Sequence, residues 1–102
     1  MHSIGWNYLI FLKLKKAEQY LLNSWELSKH KEAHPPMNLG HVKLLEGNKQ
    51  KAMSWYQQSL ALWRDKELFF AGMQSDYIDL KMEERGISKN KCDMMIEELK
   101  ES

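Results

Sequence analysis

The chain of 102 residues reads as an all-α protein, on three observations. Small and apolar residues recur at helical spacing in three separate stretches. Sustained apolar–polar alternation is lacking, as is any Asn-Gly or Asp-Gly hairpin between β-branched runs. Helix breakers fall between the stretches, at Pro35-Pro36, Gly47-Asn48 and Gly86. Together these predict six helices, near residues 3–13, 16–33, 36–46, 49–63, 66–84 and 89–100.

Each element has its own warrant. Ile4, Trp6, Tyr8, Leu9, Ile10, Phe11 and Leu12 leave the first helix almost no polar face, so it is expected to be covered on more than one side. The second carries the stripe Ala17, Tyr20, Leu21, Ser24, Leu27, Ser28. Pro35-Pro36 opens the third, because a proline in the first turn forfeits no intrahelical bond. Ala52, Trp55, Tyr56 and Ser59 restart the stripe in the fourth helix. The fifth holds Tyr77, Leu80 and Glu84. Ser88 is an N-cap candidate for the sixth, whose stripe is Cys92, Met95, Ile96 and Leu99.

Composition narrows the class. Hydrophobic residues at 43% and charged residues at 28% are ordinary globular usage and exclude disordered or collagen-like chains. The apolar run Leu9 to Leu12 is far short of the ~20 residues a membrane span needs, and no signal-type segment opens the chain. A lone cysteine, Cys92, permits neither an intrachain disulfide nor a cysteine-based zinc cluster, so a reducing, cytoplasmic setting is expected. Net charge is +1, unlike the strongly basic footprint of most nucleic-acid binders. The charge is nonetheless bipolar. Residues 1–64 hold nine Lys and Arg against four Asp and Glu, a balance of +5; residues 65–102 hold six against ten, a balance of −4.

Residues that could carry chemistry read as structural. His30 and His34 have metal-pair spacing, but no Glu follows His30 as a zinc protease requires and His34 abuts Pro35. Cys92 occupies the small position of an apolar stripe, and adjacent pairs such as Glu83-Glu84 diverge on a helix. Catalysis, metal and cofactor are therefore not expected. Residues 83–99 have the outline of a helix-turn-helix, with Lys89 and Lys91 opening its second helix, so DNA binding is kept as a lesser alternative. Against it, Asp93, Glu97 and Glu98 would face phosphates. Lys13, Lys15 and Lys16 read as a hydrated corner, and neither nucleic acid nor membrane is the expected partner.

A shift of 35 residues superposes Ile4-Gly5 on Leu39-Gly40, Leu9 on Leu44, Ile10 on Leu45, Ala17 on Ala52, Leu21 on Tyr56, Ser24 on Ser59 and Leu27 on Leu62. The pattern Leu39-Gly40, Gly47, Ala52, Tyr56, Ser59-Leu60 resembles the tetratricopeptide repeat. The resemblance departs at Lys43, where the family has an aromatic, at Arg64, where proline is common, and at Leu12, where the corner glycine is missing. It implies one domain over 1–102 with repeats near 1–32, 33–64 and 66–100, folded as a right-handed superhelical stack of three antiparallel hairpins. It also implies that Gly40 lets two helices touch, that Gly47 turns the corner, and that first helices line a concave groove. Trp6, Ile10, Asn38, His41, Leu45, Tyr77, Leu80 and Glu84 map to that groove. The family's carboxylate clamp is not expected, because only Asn38 agrees with it. The resulting expectation is a scaffold that binds a protein or peptide, without catalysis. A homodimer through the N-terminal hairpin, with Trp6, Ile10 and Phe11 at its interface, is also expected. The alternative is a structural fragment of a longer repeat array that self-associates.

Overall fold

A computed structural model describes residues 2–101, and their side chains from residue 6 onward. The expectations placed on Ile4 and Gly5 lie outside the described side chains. Six helices follow in order among the described residues: α1 (His2–Ile10), α2 (Leu14–Leu27), α3 (His34–Leu45), α4 (Lys49–Leu62), α5 (Lys66–Asp79) and α6 (Lys89–Glu101). The chain divides into two compact units, Met1–Leu62 and Trp63–Ser102. The division falls beside the expected boundary between the second and third repeats.

Three helices end earlier than their periodicity predicts, each for a local reason. Leu12 turns left-handed at φ 57°, while Leu12 N–H and Lys13 N–H donate back to the carbonyls of Leu9 and Tyr8, which stops α1 at Ile10. The second helix stops at Leu27, not residue 33. Lys29 and His30 both take positive φ, Ser28 Oγ donates to Trp25 O at 2.9 Å, and the His30 ring stacks on Trp25 with centroids 4.7 Å apart. Those contacts fold the chain back where propensity alone would let the helix run. The fifth stops at Asp79 because Lys81 turns at φ 52° and Met82 N–H reaches Tyr77 O. A second turn of the same kind, with Gly86 at φ 92°, then delivers Ile87 and Ser88.

Helix starts follow side-chain chemistry. Asn48 Oδ1 accepts from Lys51 N–H at 3.1 Å, Asp65 Oδ1 from Glu67 N–H at 3.0 Å and Ser88 Oγ from Lys91 N–H at 3.1 Å. Lys13, at the N-cap of α2, makes no side-chain cap bond. Pro35 and Pro36 occupy the first turn of α3 as the sequence predicts.

In the first unit α1 packs on α2, α2 on α3 and α3 on α4, and α1 also touches α3. Nearly the whole circumference of α3 is buried, from Pro35 through Val42 and at Leu44. Such a helix shows no amphipathic stripe in sequence, because it has no wet face to alternate with. Leu9, Ala17, Leu21, Ala52 and Tyr56 have no solvent exposure at all, and a buried leucine of this kind contributes about 1.5–3 kcal/mol. In the second unit α5 packs on α6, with Phe69, Met73, Tyr77, Met95, Ile96 and Leu99 buried.

Candidate functional site

The best-defined constellation of the first unit lies where α3 meets α4. Gly40 is seated against the ring of Tyr56: a Cβ at Gly40 would lie 2.8 Å from Tyr56 Cζ and nearer still to the neighbouring ring carbons. That ring then aims its hydroxyl at His41, whose Nδ1 lies 2.7 Å from Tyr56 Oη in a buried hydrogen bond. Ser59 Oγ donates to Ala33 O at 2.7 Å and ties α4 to the start of α3. The expected close approach at Gly40 is thus made through an aromatic ring.

Between the two hairpins of the first unit the contacts are partly ionic. Lys43, where the tetratricopeptide pattern has an aromatic, bridges Glu18 of α2 at 2.5 Å and Glu46 at 3.1 Å. The hydrogen bond that Lys43 donates to Glu18 chiefly raises the lysine pKa above its ordinary value, with Glu46 adding to it against a desolvation penalty. Trp55 meets Trp25 edge-on at 6.3 Å. Periodicity gave no sign of the Gly40–Tyr56–His41 or Lys43–Glu18 groupings, since each joins residues of two different helices.

The eight residues mapped to a groove fall into different environments. Asn38 and His41 are 4% and 1% exposed, and Leu80 is completely buried, so these side chains pack the interior. Trp6 and Leu45 are half-buried and Ile10 is 36% exposed. Ile10 and Leu45 are equivalent under the 35-residue shift, and the helices that carry them, α1 and α3, touch. Tyr77 and Glu84 belong to the second unit and line a shallow concavity of about 200 Å³ with Ile78, Lys81 and Glu83. Tyr77 itself is buried and donates through Oη to Ile87 O at 2.8 Å. Burial, with the negative charge of Glu83 nearby, lifts its phenol pKa. A second depression, lined by Tyr8, Lys16, Gln19, Tyr20 and Asn23, lies on the first hairpin.

Titratable groups are placed structurally. Burial pushes the Cys92 thiol pKa up, which holds it protonated at neutral pH. His30 Nε2 contacts Glu26 at 2.9 Å, and no group of three or more His, Cys, Asp or Glu among the described residues is arranged to hold a metal ion. No helix among the described residues is long and apolar enough to cross a membrane.

Exposed apolar side chains gather at the end of α1, the helix whose apolar sequence leads one to expect a cover. In the first unit Phe11 is 73% exposed and Leu12 48%, consecutive with Ile10 at the end of α1. Leu27, Leu68, Ile78 and Met94 are also exposed, but singly. Comparison with family models, with curated proteins and with solved structures finds no match.

Proposed function

We propose that the chain is a non-catalytic protein-interaction module, a tetratricopeptide-like right-handed stack of three helical hairpins that binds a peptide or helix of a partner protein. The observation that carries this reading is the pair Ile10 and Leu45. They occupy repeat-equivalent positions on the touching helices α1 and α3 and both keep solvent exposure, with half-buried Trp6 one turn away from Ile10. Two hairpins that share one corner geometry, at Leu12 and at Gly47, support the repeat reading. In this proposal the accessible part of the groove is Trp6, Ile10 and Leu45, while Asn38 and His41 hold α3 in place behind it.

The test uses the full chain as bait beside the variant Ile10→Glu/Leu45→Glu, with bound proteins identified by mass spectrometry and helicity followed by circular dichroism. The expected result is a partner held by the parent chain and lost by the folded variant. A catch identical on both baits, or none from the source cells, would sink the proposal.

A further inference from the structure

We propose that one end of the first unit, formed by the corner after α1 and the corner after α3, is a docking site for an anionic lipid surface. This inference is independent of the groove. Consecutive helices of this unit are joined by short connections and pack on one another, so their directions alternate and both corners lie at the same end. Residues 1–62 contain eight lysines and four glutamates, a surplus of +4. All of that surplus sits at the corner end: Lys13, Lys15, Lys16, Lys43, Lys49 and Lys51 against Glu18 and Glu46. At the opposite end Lys29 and Lys31 are balanced by Glu26 and Glu32.

Phe11 and Leu12 stand at the first of these corners, 73% and 48% exposed, on the turn itself. Leu12 holds φ 57° there, a left-handed conformation that disfavours leucine, and the next residue leaves α2 without a side-chain cap. A leucine half exposed on that turn returns little packing to the fold and is open to contact from outside. Phe11 and Leu12 line no pocket among those described on this unit, so their exposed apolar side chains need a medium they can enter. A fluid acyl–headgroup boundary accepts such side chains without a preformed pocket, whereas a folded partner would have to supply one. Lys13, Lys15, Lys16, Lys49 and Lys51 are all exposed, and around an inserted Phe11 their long stems would carry the ammonium groups to lipid phosphates. Contact of this kind lies on the membrane and needs no spanning helix.

The experiment is co-sedimentation of the full chain with phosphatidylcholine vesicles and with vesicles containing about one-quarter phosphatidylserine, at low and raised salt. Binding to the anionic vesicles that weakens with salt, with little binding to the neutral ones, is expected. Phe11→Ser/Leu12→Gly should reduce binding at least about tenfold, the order expected when two inserted side chains are lost, and Lys13→Glu/Lys15→Glu should do the same while helicity is unchanged. Anionic-vesicle binding that the Phe11→Ser/Leu12→Gly variant retains, or no binding by the parent chain, overturns the proposal. So does binding to polyglutamate or single-stranded nucleic acid in place of vesicles. A dimer in sedimentation equilibrium that Phe11→Ser converts to monomer would put a second copy on the tip and overturn it equally.

Discussion

The two hairpins of the first unit follow one backbone with different side chains, and the difference separates what a corner requires from what it tolerates. At the second corner Gly47 takes φ 86° and Asn48 caps α4. Thirty-five residues earlier Leu12 takes φ 57° and Lys13 offers α2 no cap. The backbone bonds are nonetheless the same pair: the N–H of Leu12 and of Gly47 returns to the carbonyl three residues back, and that of Lys13 and of Asn48 to the carbonyl five back. Packing of the flanking helices therefore sets the turn, and the residue at its apex modulates the cost.

The largest test breaks the second hairpin at its waist. Gly40→Leu drives a branched side chain into the Tyr56 ring and should cost about 3 kcal/mol or more, because Tyr56 is fully buried and has nowhere to move. Thermal unfolding reads this as a fall of more than ten degrees, at roughly 4–8 °C per kcal/mol for a domain of this size. An unchanged midpoint would mean that the two helices do not meet at Gly40.

Next in size is the transplant of one corner onto the other. Gly47→Leu/Asn48→Lys gives the second hairpin the chemistry of the first and should cost roughly 2 kcal/mol, about half from left-handed backbone strain and half from the lost cap. The reverse transplant, Leu12→Gly/Lys13→Asn, should stabilise by about 1–2 kcal/mol for the same two reasons. Urea titration measures both. Equal and opposite changes would show the corners to be interchangeable, whereas no gain from the reverse transplant would show that Leu12 packs usefully after all.

The smallest effect concerns Lys43, which joins the hairpins through Glu18. Lys43→Met should cost less than about 1 kcal/mol, since the pair is only partly shielded from solvent. The sign of its pH dependence follows from the raised pKa. The charged lysine is favoured in the folded state, so its contribution is complete below the ordinary lysine pKa and disappears as pH climbs through the raised one. Melting temperatures of parent and variant should converge above that range, and a gap that widens with alkalinity would contradict the assignment.

Much of the helical architecture was legible because its signals are local. The stripe from Ala17 to Leu21, the prolines opening α3 and the cap at Ser88 each act within a few residues of where they are read. The ends of α1, α2 and α5 were not legible. Leu12, Lys29, His30 and Lys81 are not turn formers, and they adopt positive φ under the pull of packing and of contacts such as His30 on Trp25. Among the groove positions, the repeat shift pairs Ile10 with Leu45, but it carries no information on burial. Asn38 and His41 are polar side chains in the interior of a helix surrounded on nearly every side, and no periodicity distinguishes them from groove residues.

The amino-acid sequence by itself determined that this chain is helical and where most helices begin, since spacing, caps and breakers exert their effects over one or two turns. Only the tertiary structure decided which partners fill the space between helices. The ring of Tyr56 on Gly40, the bond from it to His41, the lysine bridge to Glu18 and the exposure of Phe11 depend on where separate helices come to rest. Those positions are fixed by close packing over the whole unit, in which each contact has meaning only once the others are in place.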